Sequence, residues 1–150
     1  MLEKEVIVDA FPKSRTEMIL GYIGAYQGRD LAQLRVVIPD AQQEGEWVRT
    51  HKGVAVDVTE FHKIVEALRR LDTVAANRAI GGRIAKSKNM EVRIYLEPFN
   101  GEVYCHVRTV FLKEDKRGKG VAVKADLLPS LIQLAEKIHK TIDARLLKGA

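Results

Sequence analysis

Between Leu31 and Ile38 the chain alternates, with Ala32, Leu34, Val36 and Ile38 on one side and Leu31, Gln33, Arg35 and Val37 on the other. A period of two is that of a strand with two distinct faces. The stretch from Val103 to Phe111 repeats the pattern, setting Cys105, Val107, Thr109 and Phe111 against Tyr104, His106, Arg108 and Val110. In both, the first face is mainly apolar and the second mixes polar, aromatic and basic groups. Strands are also predicted just before these, over 18–25 and 92–97. The polar segments 39–45 and 114–118 interrupt the sheets, and two Val-Ala-Val runs form the last strands, with a short strand near Trp47-Val48-Arg49. The period then becomes helical. Phe61, Ile64, Val65, Leu68 and Leu71 make one apolar stripe, and Leu127, Leu131, Leu134, Ile138 and Ile142 make another. Asp57 and Glu60 read as a capping box for the first helix. Pro129 is tolerated only in a first turn, which starts the second helix near Ala125 or Asp126.

The two patterns are copies. Tyr26-Gln27-Gly28-Arg29-Asp30 resembles Phe99-Asn100-Gly101-Glu102, 73 residues later, and the glycine in each suits a tight hairpin turn. The same offset pairs Tyr22 with Tyr95, Leu34 with Val107, Arg35 with Arg108 and Val37 with Val110. Lys52-Gly53-Val54-Ala55-Val56 recurs as Lys119-Gly120-Val121-Ala122-Val123, at an offset of 67. The shortfall lies between Arg35 and Lys52, where the first copy has a longer polar loop. Several matches in one order, with a single length change in a loop, indicate duplication. The expected fold class is therefore α+β, one pseudo-dimeric unit over 1–150. Its parts are a first repeat over 18–71, a basic linker over 72–91 and a second repeat over 92–147. The alanine-rich start of the linker could extend the first helix, Gly81-Gly82 should end any helix, and 86–89 should be exposed. A curved sheet with one helix leaves an apolar helix face uncovered. The two helices are thus expected to pack together about a pseudo-two-fold axis.

Composition narrows the class. With 150 residues, 46% hydrophobic and 30% charged, the chain can bury a real core and is not a disordered tail. A net charge of +5 favours polyanionic partners. The single cysteine, Cys105, excludes an internal disulfide framework and fits a reducing compartment. No apolar run approaches the roughly 20 residues that span a bilayer. The first residues, Met1 to Glu5, place acids ahead of Val6-Ile7-Val8, unlike a secretory signal. A cytoplasmic protein without a membrane partner is expected. Enzyme chemistry finds little purchase. His51, His62, His106 and His139 are scattered without paired-ligand spacing, and Cys105 falls on the core-facing side. Gly118-Lys119-Gly120 is too short for a phosphate loop and leads into a strand. No enzyme activity, metal or cofactor is expected.

An aromatic-polar-Gly turn, a strand carrying an Arg, a polar loop, Lys-Gly-hydrophobic-x-hydrophobic and then a helix resembles the C-terminal domain of the transcriptional coactivator positive cofactor four. It is similar also to the Whirly architecture. The resemblance covers roughly 18–71 and 92–142. It implies a half-domain of four antiparallel strands and a helix, dimerised through the helices. It further implies non-enzymatic binding of single-stranded DNA with weak sequence preference, in transcription, replication or repair. Carried over by position, the hairpin aromatic falls on Tyr26 and Phe99, the basic residue of the second strand on Arg35 and Arg108, and the turn lysine on Lys52 and Lys119. The aromatic near the end of that strand falls on Phe111 in the second copy but on Ile38 in the first, where Trp47 is a substitute.

Single-strand binding needs cations along phosphates and flat side chains on which bases stack. Tyr26, Phe99 and Tyr104 beside Arg29, Arg35, Arg93, Arg108, Lys52 and Lys119 supply both. Taken singly, each is as readily an ordinary core aromatic or solvated cation. Tyr22 and Tyr95 are assigned to the core or a sheet edge. Strict alternation puts Phe111 on the apolar face unless a β-bulge turns it outward. Arg35 and Arg108, mid-strand on the polar face at one repeat position, are better explained as solvent- or ligand-facing. Arg78, Arg83, Lys86 and Lys88 make the linker basic. Single-stranded DNA leads as the partner, with RNA open because no motif reads the 2′-hydroxyl. The competing reading is a protein-interaction module whose sheet face docks a partner. Further pairing of the pseudo-dimer is left open.

Overall fold

The computed structural model describes residues 4–147. Eight strands form two antiparallel sheets. The first sheet runs β1 (Val6–Pro12), β2 (Met18–Tyr26), β3 (Arg29–Pro39) and β4 (Trp47–Asp57), in that spatial order. The second runs β5 (Ala79–Ala85), β6 (Met90–Phe99), β7 (Glu102–Phe111) and β8 (Lys116–Lys124). Helix α1 (His62–Asp72) follows the first sheet and α2 (Leu128–Ile142) the second. The fold is α+β with a repeated four-strand unit.

Local sequence explains the joints. Gln27-Gly28 and Asn100-Gly101 all have positive φ, between 50° and 81°, which is the two-residue hairpin turn whose twist suits the strands on either side. Pro129 sits in the first turn of α2, behind a short 3₁₀ turn at Ala125–Leu127. Asp57 does not cap α1. Its carboxylate accepts the backbone N–H of Thr59 (3.0 Å) and the Thr59 hydroxyl (2.7 Å), making a tight turn ahead of a helix that has no side-chain cap.

The helices cross over. Helix α1 packs on β5 and β6, the sheet of the second half, while α2 packs on β1 and β2 of the first. The helices also meet each other, β4 lies against β8, and the β3–β8 contact is mirrored by β4–β7. Each of these contacts has its counterpart with the halves exchanged, the property of a pseudo-two-fold relation. One core results, shared by both sheets and both helices. It includes Ile19, Leu34, Val54, Phe61 and Leu68 from the first half and Ile94, Val107, Val121, Leu131 and Ile138 from the second.

The two crossed contacts are packed differently. Ala67 and Leu68 of α1 correspond to Leu134 and Ala135 of α2 at the offset of 67, so small and large residues change places. Opposite Leu134 the first sheet carries Gly21, where a Cβ would lie 2.8 Å from the leucine Cδ1 and 2.7 Å from Ile138 Cδ1. Opposite Ala67 the second sheet carries Gly81, where a Cβ would lie 2.5 Å from the Ala67 carbonyl oxygen. The residues matching these glycines at the offset of 73 are Ile94 and Val8. Each helix therefore fits one sheet.

Two strands differ from the sequence expectation. Residues 79–85, assigned to a linker, are β5, and Val6–Pro12 are β1. The offset of 73 extends to both, because the pairings step past Val8 and Gly81 at matched bulges. Trp47-Val48-Arg49 and the Val-Ala-Val run are not separate strands but one, β4, with an irregularity opposite Val36. Lys116 to Gly118 likewise belong to β8 and not to a loop.

Candidate nucleic-acid interface

The faces of the sheets turned away from the helices carry the candidate residues. In the first half, Arg35 lies on β3 beside Tyr22 of β2. Its Nε donates to the Tyr22 hydroxyl (2.9 Å), one Nη to the Thr50 carbonyl (3.0 Å) and the other to Gln33 Oε1 (3.1 Å). The Tyr22 hydroxyl in turn donates to Gln33 Oε1 (2.9 Å). Above the ring sits Arg49, its guanidinium 4.2 Å from the centroid and held from the other side by Glu5. Tyr22 is 3% exposed, covered by an arginine and not by the core. That pairing draws the Glu5 carboxyl below its ordinary value, the Arg49 hydrogen bond being the main cause.

The second half builds the same stack with other residues. Tyr95 lies parallel to His106, with 4.6 Å between centroids, and Arg117 covers it at 5.5 Å. Arg117 is held by Glu97 (2.5 Å). Arg108 donates to the Gly118 carbonyl (3.0 Å) and lies 3.4 Å from His106 Nδ1, while its Nε is buried without a partner. Gln33 and His106 are equivalent positions. Arg35 and Arg108 are thus on the outer faces as expected, but each clamps the irregular start of the adjacent last strand. That also explains the Lys-Gly motif. A Cβ at Gly120 would lie 2.5 Å from Arg108 Cα, and one at Gly53 would lie 3.0 Å from the Leu34 carbonyl. Replacing both arginines is therefore expected to cost stability, contrary to a purely ligand-facing role.

His106 has a measurable consequence. Burial, then the neighbouring Arg108 charge, with Glu97 opposing, lowers its pKa to about 4. The folded protein keeps the imidazole neutral where the unfolded chain would protonate it. Its contribution is intact above about pH 6.5 and is lost as pH falls toward 4. His106→Gln, which copies Gln33, should remove this dependence. Urea unfolding at pH 7 and pH 4.5 should show the wild type losing about 1–2 kcal/mol more than the variant, allowing for screening at a partly exposed ring. Parallel losses would exclude His106 as the source.

The remaining candidates divide by location. Tyr26, Arg29 and Arg35 line a groove of about 810 Å³ on the first sheet, with Lys86 reaching over from the β5–β6 turn to donate to the Ala55 carbonyl (3.0 Å). Desolvation, and secondarily Arg29, lowers the Lys86 pKa. Arg93 lines a smaller groove of about 370 Å³ on the second sheet, beside Tyr95 and Arg117, and is tied to Glu91 (2.8 Å). Phe99 and Tyr104 meet edge to face at 6.4 Å by the second hairpin. Trp47, exposed, pairs with Pro39 at the end of the first sheet away from Tyr26, and half-buried Phe111 takes the corresponding end of the second. Thr109 and Phe111 are less buried than Cys105 and Val107, because the β7–β8 register shifts between Arg108 and Val110. Ile38, assigned to the apolar face, is 38% exposed, while Val37 on the other face is 5% exposed. Lys52, Lys119 and Arg108 gather at the seam between the sheets. The Arg–Tyr stacks were not foreseen, though the offset had already paired Tyr22 with Tyr95.

Burial pushes the Cys105 thiol up to about 12, so it stays protonated. Among the described residues, no helix is long and apolar enough to cross a membrane. No protein-family model matches the chain, and no curated protein shows significant similarity to it.

Proposed function

We propose that this protein binds single-stranded nucleic acid along the outer faces of its two sheets, without catalysing a reaction on it. The observation that carries this reading is the pair Tyr26 and Phe99. They sit at one position of two equivalent hairpins and are 63% and 64% exposed. An aromatic ring left in water twice at the same place is unprofitable for folding and well suited to stacking on a base. Cations lie nearby, Arg29 and Lys86 beside the first hairpin and Lys124 near the second. The resemblance to the positive cofactor four domain and to Whirly proteins favours DNA over RNA and a place in transcription, replication or repair. A cytoplasmic location belongs to the same reading.

Competition among single-stranded DNA, duplex DNA and RNA oligomers tests the class. Phe99→Ala and Tyr26→Ala should each weaken single-strand binding by about 1–3 kcal/mol while leaving the melting temperature nearly unchanged. Lost stability with unchanged affinity would assign both rings to structure. A protein-docking reading has one observation of its own. Ile7 and Ile80, at matched positions on the outer strands β1 and β5, are both 55% exposed. Binding to none of the three oligomers would move that reading ahead.

A further inference from the structure

Most arginines on the outer faces are already neutralised. Arg29 pairs with Asp57, Arg49 with Glu5, Arg93 with Glu91 and Arg117 with Glu97. The seam between the halves is different. There a cavity of about 220 Å³ is lined by Lys13, Val36, His51 and Lys52 of the first half and Arg108, Lys119, Gly120 and Ala122 of the second. No carboxylate lines it. Lys52 and Lys119 are the same residue of the repeat, both exposed, and neither is in an ion pair among the described residues. Arg108 gives its Nη groups to Gly118 and His106, neither of which offsets its charge. Lys13 alone has an acidic neighbour, Glu17 at 3.4 Å.

Folding brings these like charges together from two separate sheets at an electrostatic cost, with no internal anion to offset it. Arg29, Arg49, Arg93 and Arg117, by contrast, are each given a carboxylate. We propose that the seam is a binding site for one phosphate group, held between Lys52 and Lys119, with Lys13 and Arg108 contributing charge. Resting on the single-strand reading, the occupant is a backbone phosphate at the point where a strand passes from one sheet to the other. The site then fixes the strand relative to the pseudo-two-fold axis, so both halves engage one strand instead of two.

The test uses the full chain with Lys52→Gln plus Lys119→Gln, and Lys52→Arg plus Lys119→Arg as the charge-preserving control. Affinity for a mixed-sequence single-stranded DNA is measured by fluorescence anisotropy at several salt concentrations. Inorganic pyrophosphate is titrated in parallel, following the Gly53 and Gly120 amide resonances. The glutamine pair should bind the oligomer roughly tenfold more weakly, with the salt slope reduced by about 0.7, the loss of one phosphate contact. The arginine pair should behave as wild type. Pyrophosphate should shift both glycine resonances in wild type and not in the glutamine pair. A slope reduced by about 1.4 would mean two separate phosphates and overturn the shared site. So would an unchanged slope with the oligomer still bound, although the single-strand reading would survive. If no oligomer binds yet pyrophosphate shifts both glycines, the seam stands as an anion site and the single-strand reading falls.

Discussion

Residues 4–77 and 78–147, produced as separate fragments, are expected to be unfolded alone and to fold on mixing into a one-to-one complex. The reason is the crossing of the helices. In the first fragment the inner face of β1–β4, with Ile19, Ile23, Leu34 and Val56, loses α2, the helix that covers it. Helix α1, with Phe61, Ile64 and Leu68 buried in the intact chain, loses the β5–β6 surface. Exposing faces of this size removes most of the favourable burial available to a fragment of about half the chain, which is marginal at that length. Homodimers are the competing outcome, and packing disfavours both. A dimer of the first fragment would leave a gap between Ala67 and Gly21 and drive Val8, in the place of Gly81, onto the Ala67 carbonyl. A dimer of the second would set Leu134 against Ile94, crowding the contact. Circular dichroism melts and native mass spectrometry of each fragment and of the mixture check this. A cooperative melt from monomeric 4–77 would show that the halves are independent after all.

Gly81→Val is expected to be strongly destabilising, costing about 3 kcal/mol or more. Its Cβ would meet the Ala67 carbonyl at 2.5 Å and Leu71 Cγ at 2.8 Å, and backbone cannot give way as a side chain can. Gly21→Val meets only side-chain ends, Leu134 and Ile138, and these can be shortened. It should cost about 1–3 kcal/mol alone. Combined with Leu134→Ala it should cost less than the two changes added, because the smaller helix residue makes room for the larger strand residue. Denaturant unfolding of the four proteins in that cycle gives the coupling energy directly. Strict additivity would mean that Gly21 and Leu134 do not pack against each other as described.

The repeat was legible because its strongest signals have local causes. The hairpin glycines need positive φ, and the Lys-Gly motif needs a residue without a side chain where β4 and β8 pass Arg35 and Arg108. The helices showed themselves by apolar spacing. Strands β1 and β5 did not, since their identity lies in what they pair with. Val6–Pro12 shares little with Ala79–Ala85 beyond Ile7 and Ile80, and Gly81-Gly82 imitates a helix stop when it is a close approach to α1. The crossing of the helices was hidden for a related reason. The pattern of apolar residues says that a face is buried, not which sheet buries it. Tyr22 and Tyr95 are buried, as core aromatics would be, but the covering group is an arginine on the outer face of each sheet, which apolar spacing does not reveal.

The crossed helices also set an order of events during synthesis. A chain emerging from the ribosome presents β1 to β4 long before residues 128–142 exist to cover them. Helix α1 emerges next, but its surface on β5 and β6 is still to come. Neither half can complete its packing in passing, so an apolar sheet waits exposed until nearly the whole described chain has been made. Such a nascent chain is a natural client for a chaperone at the tunnel exit, and slower translation through the second half would prolong its exposure to aggregation.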